Sequence, residues 1–303
     1  MTVTLTNPSG AMQATFMPEL GMVLNSLRHR DDELLAQRDG PEAYAEHGST
    51  FAVPLLHPWA NRLGRWSYDR DGHHVDLEGT GVARDPMTGL PIHGVVAASP
   101  YWQILDETVS ALTAELDFGA HPEYAAAFPF PHRVRYAAAM DEDAVTVSLT
   151  VVPTSDAPVP ISFGFHPYLT LPGSDRREWV IEMPVAERTV LDAQLLPTGG
   201  VEPLAPEALD GVFGDRTFDD NFGVLRGETP AFNVADDHRR IELRFDAGYP
   251  VAQVYASEGS DFICFEPMTA PIDALSTGHG LPFAQPGGEF TATFTISVHE
   301  TAS

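Results

Sequence analysis

The stretch Phe290-Thr-Ala-Thr-Phe-Thr-Ile-Ser-Val298 alternates apolar and polar residues without a break. Because side chains along a β-strand point to opposite faces with a period of two, the pattern predicts a strand with one buried face. The segments Val145-Thr-Val-Ser-Leu-Thr-Val151 and Arg133-Val-Arg-Tyr136 follow the same rule. Half-buried strands of this kind are typical of antiparallel sheets.

The rest of the chain is divided into short pieces by 26 prolines and 25 glycines, and it contains no internal repeat or linker. The segment from Ala205 to Phe213 is the best candidate for a short helix. We therefore predict an all-β protein in which residues 1–303 form a single domain of large packed sheets.

Charge and composition exclude several classes of chemistry. The formal net charge is -26, which repels nucleic acids and anionic membranes, so we expect neither as a partner. All 17 basic residues are arginine. Without lysine, Schiff-base chemistry, pyridoxal phosphate enzymes and the lysine of a P-loop are ruled out. No glycine-rich dinucleotide motif lies between a strand and a helix, so we expect no nucleotide cofactor.

The sequence also bears on the cellular compartment. It has no apolar run long enough for a transmembrane helix, and its first residues lack the features of a signal peptide. The single cysteine, Cys264, has no internal disulfide partner and is expected to be a small core residue. These features favour a cytoplasmic protein.

A histidine ends one strand-like segment, Ile161-Ser-Phe-Gly-Phe-His-Pro-Tyr168. The alternation places the aromatic residues on one face and Ser162, Gly164 and His166 on the other. Pro167 has no N–H for a sheet ladder, so the strand is predicted to stop near His166. A small polar face with one titratable ring resembles the floor of a site, although a packed structural histidine would fit the same pattern.

A second segment, Asp261-Phe-Ile-Cys-Phe-Glu-Pro267, has the same build and ends in a glutamate. Glu266 is expected on the same side of the strand as Cys264 and Phe262. Burial of a carboxylate in such a strand raises its pKa, which suits a general base. The alternative is a glutamate on an edge that points to water.

Three further segments carry groups that bind polyols, and each has a simpler structural interpretation. His57-Pro-Trp-Ala-Asn-Arg-Leu-Gly-Arg65 offers the Asn61 amide, the Arg62 guanidinium and an indole for a sugar ring, or forms a proline-rich turn. In Gly89-Leu-Pro-Ile-His-Gly94, His93 lies in a loop and is either a ligand-binding or a structural histidine. In Phe218-Asp-Asp-Asn-Phe222, Asp219 binds sugar hydroxyls or belongs to an Asx turn.

A metal site has little support from the sequence. Neither His-Glu-x-x-His nor a paired Cys-x-x-Cys spacing occurs. A spatial cluster of His57, His93 and His166 is the one arrangement that would bind a metal. We therefore predict no metal.

Taken together and in order, these segments resemble the aldose 1-epimerase (galactose mutarotase-like) family from about Asn61 to Asp273. The matching motifs are Asn61-Arg62, Ile92-His93-Gly94, Phe165-His166-Pro167-Tyr168-Leu169, Asp219 within an Asp-x-Asn-Phe pattern, and Phe265-Glu266-Pro267. The resemblance implies a β-supersandwich fold, which agrees with the all-β prediction. The residues before Asn61, His57-Pro58-Trp59-Ala60, depart from the lead-in of galactose-active members, so the identity of the sugar stays open.

The resemblance also implies a reaction without cofactor or metal on a monosaccharide. Glu266 takes the proton from O1 of an aldose while His166 protonates the ring oxygen O5, and the two exchange roles when the ring closes as the other anomer. Arg62 and His93 hold the ring-oxygen side of the sugar, with Asn61 beside them, and Asp219 binds hydroxyls. The two groups need unlike pKa values near neutrality.

Three alternatives stay open at this stage. A hexose 6-phosphate 1-epimerase would need a local basic pocket, for which Arg62, Arg65, Arg70 and Arg84 are the candidates. A non-catalytic carbohydrate-binding protein would need no acid–base pair. A glycoside hydrolase would use Asp219 and Glu266 as its two carboxylates, but it leaves the histidines without a role.

Overall fold

The computed structural model describes residues 1–301. The first strands, in chain order, are β1 Val3–Thr6, β2 Met12–Met17, β3 Val23–His29, β4 Asp32–Glu33, β5 Leu55–Leu56, β6 Ser67–Arg70, β7 His73–Asp76, β8 Ala83–Arg84, β9 Pro91–Ile92, β10 Gln103–Glu107, β11 Ala111–Asp117, β12 His132–Met140, β13 Ala144–Pro153 and β14 Val159–Pro160. The later strands are β15 Gly164–Phe165, β16 Tyr168–Leu169, β17 Val180–Glu182, β18 Val185–Leu191, β19 Pro197–Pro203, β20 Gly211–Val212, β21 Phe218–Phe222, β22 Val224–Leu225, β23 Ala231–Ala235, β24 Arg239–Ala247, β25 Val251–Ala256, β26 Ile263–Met268, β27 Phe283–Ala284 and β28 Phe290–Glu300.

Helices are short and lie between the strands. The α-helices of the described residues are α1 Gly40–His47, α2 Pro122–Ala127 and α3 Ala274–Thr277, and 3₁₀ turns cover Pro18–Leu20, Phe118–Ala120 and Arg176–Glu178. None of the helices within residues 1–301 has the length and apolar character that crossing a bilayer requires.

Two large antiparallel sheets dominate the fold and confirm the all-β prediction. One sheet has nine strands in the order β10-β11-β12-β13-β28-β24-β23-β17-β20, and the other has six, with β21-β25-β26-β15-β5 in line and β16 also paired to β26. Smaller sheets are formed by β1 to β4, by β19-β18-β22 and by the pairs β6-β7, β8-β9 and β14-β27. The predicted single domain also includes residues 302 and 303, which lie outside the described part of the chain.

Aromatic side chains join the two large sheets face to face. The ring of Phe165 in β15 lies 5.0 Å from that of Phe294 in β28, and Phe265 in β26 lies 5.2 Å from Phe232 in β23. These buried contacts belong to one continuous core, and burial of apolar surface of this kind is the main stabilising contribution to the fold. The alternation predicted for β12, β13 and the first part of β28 is confirmed, since every second residue there is buried.

Two local predictions fail for identifiable reasons. Residues Ala205–Phe213 form turns followed by the short strand β20, because Pro206, a left-handed backbone at Glu207 (φ 60) and Gly211 prevent a continuous helix. The strand that carries Glu266 does not end at Pro267 but continues to Met268. By contrast, the break predicted at His166 is confirmed, since β15 ends at Phe165 and β16 begins at Tyr168.

Candidate active site

The six-stranded sheet positions the site through its register. Glu266 on β26 lies opposite Gln253 on β25, and Gln253 lies opposite Asn221 on β21. Directly opposed residues project to the same face, so polar side chains from three strands form one row. The other face carries Phe165 and Phe265 into the core. Because both faces are covered, all six residues of β26 are buried, and Glu266 belongs to a central strand. The alternative of an edge glutamate is therefore wrong.

His166 and Glu266 form a buried pair at the floor of this row. Nε2 of His166 lies 3.3 Å from Oε1 of Glu266, and the two side chains are 8% and 2% exposed. Burial, reinforced by Asp219, holds the pKa of Glu266 well above its ordinary value, against the opposing charge of Arg62. Burial, together with His93 and Arg38, holds the pKa of His166 well below its ordinary value. Both shifts favour the neutral forms, a protonated carboxyl on Glu266 beside a neutral imidazole on His166.

A tyrosine holds the imidazole of His166 in place. The Tyr168 ring stacks on it at 4.4 Å and 5°, and the phenolic oxygen lies 3.3 Å from Nε2. The same oxygen accepts a hydrogen bond from Nη1 of Arg38 at 2.9 Å and lies 2.7 Å from Oγ1 of Thr50. The hydroxyl thus has partners on both sides, which fixes the plane of the imidazole.

Arg62 is held on one wall by a buried ion pair. Its Nε donates to Oδ2 of Asp85 at 2.7 Å, and its Nη1 donates to Oδ1 of Asn61 at 3.2 Å. Asn61 also accepts the backbone N–H of Arg62 at 2.9 Å. Its own backbone is left-handed (φ 59), a conformation that asparagine tolerates better than most residues. The Asn61-Arg62 pair therefore acts as one rigid unit.

His93 reaches the same place from the loop after β9. Its Nδ1 accepts the backbone N–H of Asn61 at 3.3 Å, and its ring centre lies 5.8 Å from that of His166. Burial and the nearby Arg62 charge lower its pKa to about 3, so it is neutral at physiological pH. The next residue must be glycine, because a Cβ on Gly94 would lie 2.2 Å from the carbonyl oxygen of His57. His93 itself has a positive φ of 65, which is a strained conformation for histidine.

Asp219 lines the cavity from the regular strand β21. The Asx turn considered for this segment is wrong, since Phe218–Phe222 pairs with β25 over its whole length. Oδ1 of Asp219 accepts from Nε2 of Gln253 at 2.7 Å, and Oδ2 lies 3.9 Å from Nη2 of Arg62. Burial raises its pKa, against the opposing effect of Arg62. The carboxyl is 28% exposed and is open to the cavity.

One cavity of about 650 Å³ collects these groups. The six residues predicted from the sequence all line it, namely Asn61, Arg62, His93, His166, Asp219 and Glu266. Its volume falls within the range of small-molecule sites. A buried acid–base pair, an arginine, a neutral histidine and a carboxyl are a set that binds hydroxyls and transfers protons.

Several predicted neighbours lie elsewhere. Trp59 is fully buried in the core and offers no surface for a sugar ring, so the aromatic lining comes from Tyr44, Tyr168 and Tyr255. His57 points away from the cavity and pairs through Nε2 with Nε2 of His132 at 2.8 Å. The proposed histidine cluster is thus not formed, and residues 1–301 contain no group of three or more ligands suited to a metal ion.

The sequence reasoning missed Arg38, Asp85 and Gln253. Gln253 was detectable as a lone amide in the apolar strand Val251–Ala256, and Asp85 as the first residue of an Asp-x-x-Thr turn. Arg38 lies in a loop and comes to the cavity only through the tertiary fold.

Comparison with known proteins places this fold and site in a defined class. The sequence model of the aldose 1-epimerase family matches residues 1–297. The chain therefore belongs to the aldose 1-epimerase family.

Individual relatives are distant in sequence but close in fold. The uncharacterized protein YihR of Escherichia coli K12 is 22% identical over 254 residues, which cover 80% of each chain. A galactose mutarotase-like protein from Clostridium acetobutylicum superimposes with a TM-score of 0.83 at 16% identity, covering 96% of this chain and 94% of that one. A galactose mutarotase related enzyme from Lactobacillus acidophilus gives a TM-score of 0.80 at 20% identity, covering 100% and 99%.

Proposed function

We propose that the protein interconverts the α and β anomers of a free aldohexose by general acid/base ring opening, with Glu266 and His166 as the catalytic pair. The 3.3 Å between Nε2 of His166 and Oε1 of Glu266 is the observation that carries this proposal. The two reacting oxygens, O1 and O5, are bonded to the same carbon of the sugar. The base that deprotonates one and the acid that protonates the other must therefore lie side by side.

The proton balance of the reaction fits a pair that holds one proton. Glu266 as carboxylate takes the proton of O1, the C1–O5 bond breaks, and O5 takes the proton of imidazolium His166, which leaves an open-chain aldehyde. Rotation about C1–C2 and the reverse transfers close the ring as the other anomer. The neutral pair of the empty site and the ion pair that starts the reaction contain the same number of protons, and they differ by one transfer between adjacent atoms. The reaction as written needs no cofactor.

The walls of the cavity supply the binding groups in this proposal. Arg62 and neutral His93 hold the ring-oxygen side of the sugar, and the partly exposed carboxyl of Asp219 accepts from its hydroxyls. Asn61 lines the same cavity and fixes Arg62 through Oδ1, while its Nδ2 donates to no other residue within the described 1–301. A sugar hydroxyl is the partner that this amide would take.

The test is polarimetry on freshly dissolved α-glucose and α-galactose. The wild-type protein is expected to accelerate the change in rotation, and Glu266→Gln to abolish the acceleration, while Glu258→Gln on the surface serves as the matched control. Sugar binding in a titration without any acceleration of mutarotation would instead indicate a non-catalytic carbohydrate-binding protein. Wild-type rates from the Glu266 variant would refute the proposed catalytic pair.

One observation favours a second candidate, an epimerase of a hexose 6-phosphate. Arg38 lines the cavity and has no carboxylate partner among residues 1–301. Of the arginines predicted for a phosphate pocket, Arg62 and Arg84 line the cavity but already pair with carboxylates, and Arg65 and Arg70 are not in its lining. A single guanidinium that already donates to Thr50 and Tyr168 is weaker support than the cluster a phosphate requires. Glucose 6-phosphate that competes with glucose in the polarimetric assay, and loses that competition in Arg38→Gln, would support this candidate.

A further inference from the structure

Asp85 is a buried carboxylate beside the cavity that the proposed reaction does not use. It is 4% exposed, and it follows directly after β8 in the loop that joins β8 to β9. Its Oδ2 accepts the Nε–H of Arg62 at 2.7 Å, and both side chains of this pair are less than one-tenth exposed. A charge pair buried to this degree is costly to desolvate. We therefore look for a role of this pair other than a contribution to the stability of the fold.

The loop holds Asp85 by several hydrogen bonds besides that of Arg62. Oδ2 accepts from Oγ1 of Thr88 at 2.5 Å and from the backbone N–H of Thr88 at 3.3 Å, and Oδ1 accepts the N–H of Met87 at 3.2 Å. Burial acts to raise the pKa of Asp85, but the bonds from Thr88 and Arg62 outweigh it and keep that pKa below the ordinary value. The carboxylate is thus charged and immobile.

Two of the three nitrogens of the Arg62 guanidinium have hydrogen-bond acceptors. Nε is taken by Asp85 and Nη1 by Asn61, while Nη2 lies 3.9 Å from Oδ2 of Asp219. Nη2 therefore has no hydrogen-bond partner among residues 1–301 and is available to a ligand in the cavity that Arg62 lines. Without Asp85, nothing would hold Nε, and the guanidinium would be free to turn toward the other carboxyls.

The charged groups around Arg62 influence one another electrostatically. Glu266 faces His166 and Asp219 across the sheet, and the positive charge of Arg62 acts against the burial that keeps its carboxyl protonated. His93, from the loop after β9, feels both Arg62 and Asp85. Asp85 is the carboxylate in direct contact with Arg62, and its charge partly neutralises the guanidinium.

We propose that Asp85 is a positioning residue that fixes the guanidinium of Arg62 toward the substrate and limits the effect of its charge on Glu266. This inference rests on the proposed function, since it assigns Asp85 a part in that same reaction. In this proposal Asp85 has two separate effects. By holding the geometry of Arg62 it governs sugar binding, and by its charge it governs the protonation of Glu266.

The decisive variant is Asp85→Asn, which removes the charge and keeps the shape. The titration of Glu266 is followed by NMR on protein with ¹³C-labelled glutamate, where the Glu266 signal is assigned by its absence in Glu266→Gln. In Asp85→Asn the midpoint is expected to fall by about one pH unit, because Arg62 is then unopposed and favours the carboxylate. The acidic limb of kcat/KM should shift in the same direction. An unchanged midpoint together with a lower melting temperature would reduce Asp85 to a structural residue and overturn the proposal.

A second variant covers the case in which Asp85→Asn does not fold. Thr88→Val keeps the charge of Asp85 but removes the bond from Oγ1, so KM is expected to rise about fivefold while kcat and the Glu266 midpoint stay in place. An unchanged KM would overturn the positioning role. Asp106→Asn and Thr113→Val, both on exposed strand positions, are the matched controls. The NMR titration does not depend on turnover, so an inactive wild type would refute the proposed function while leaving the effect of Asp85 on Glu266 measurable.

Discussion

His166, in the break between β15 and β16, is far along the chain from Glu266 on β26, yet Nε2 of the first lies 3.3 Å from Oε1 of the second. The contact exists because β16 and β15 both pair with β26, which places the break between them beside Glu266. Neither residue has another charged side chain within salt-bridge distance in the described part of the chain. The arrangement of these two side chains is thus most simply explained by proton exchange between them.

The first prediction concerns His166. Replacing it by asparagine leaves a side chain of similar size that neither donates a proton to O5 nor accepts one from it. We expect mutarotation to slow by about 10²- to 10⁴-fold, the usual contribution of general acid–base catalysis. The change in optical rotation of fresh α-glucose measures the rate, and His74→Asn, on the exposed hairpin β6–β7, is the control. Loss of activity in the control as well would remove the support for His166.

The second prediction is the pH dependence of the rate. The pKa of Glu266 is raised and that of His166 is lowered, so the pair holds one proton between these two limits. As pH rises through the raised pKa of Glu266, this proton is lost and no acid remains. As pH falls through the lowered pKa of His166, a second proton is bound and no base remains. We expect a broad plateau of kcat around neutrality with losses at both ends, and a narrow optimum near the ordinary pKa of histidine would contradict it.

The sequence carried the identity of the site residues better than their surroundings. Five short motifs in order predicted six site residues, among them His166 and Glu266, and the structure brings all six to one cavity. Alternation likewise predicted β13, whose outer face meets water. The pattern is not visible in β26, where both faces are covered and the residues Ile263–Met268 are all buried, although Phe265 and Glu266 do face opposite sides of the strand as predicted. A period of two is visible only when the two sides of a strand face different surroundings.

Contacts that depend on the tertiary fold had no local signal. The sequence offers the indole of Trp59 as a surface for a sugar ring. In the structure Trp59 forms an isolated β-bridge with Ser162, and its indole is buried in the core. Arg38 and Thr50, which lie on either side of α1, reach Tyr168 from more than a hundred residues earlier in the chain. Neither composition nor the spacing of residues predicts such contacts, since they follow from how the sheets pack.

The third prediction isolates the hydroxyl of Tyr168. Tyr168→Phe keeps the ring stacked on His166 but removes the oxygen that contacts Nε2 at 3.3 Å and accepts from Arg38. We expect kcat to fall about tenfold, the effect of one lost hydrogen bond to a group that becomes charged, with little change in KM. Tyr255→Phe is the matched control, because that ring meets His166 edge-on at 6.0 Å and lines the same cavity. Equal losses in both variants would show that Tyr168 has no special relation to His166.

The last prediction concerns acid stability and the buried pair of His57 and His132. Nδ1 of His132 donates to the carbonyl of Phe130 at 2.6 Å, so its Nε2 accepts from Nε2–H of His57 at 2.8 Å, and both rings are neutral. Burial lowers the pKa of His132 from 6.5 to about 4, and burial together with His132 holds the pKa of His57 well below its ordinary value.

Between pH 6.5 and about 4, these histidine rings bind protons in the unfolded chain but stay neutral in the folded protein. The stability contributed by each ring is therefore present above pH 6.5 and is lost as pH falls toward 4. We expect the melting temperature to drop over this interval. His132→Gln, which has no titrating ring, should be less stable at pH 7 but lose stability more slowly in acid, by up to about 1.4 kcal/mol per pH unit. Denaturant titrations at several pH values measure the slopes, with His299→Gln on the surface as control. Parallel slopes for wild type and His132→Gln would mean that His132 does not titrate in this interval.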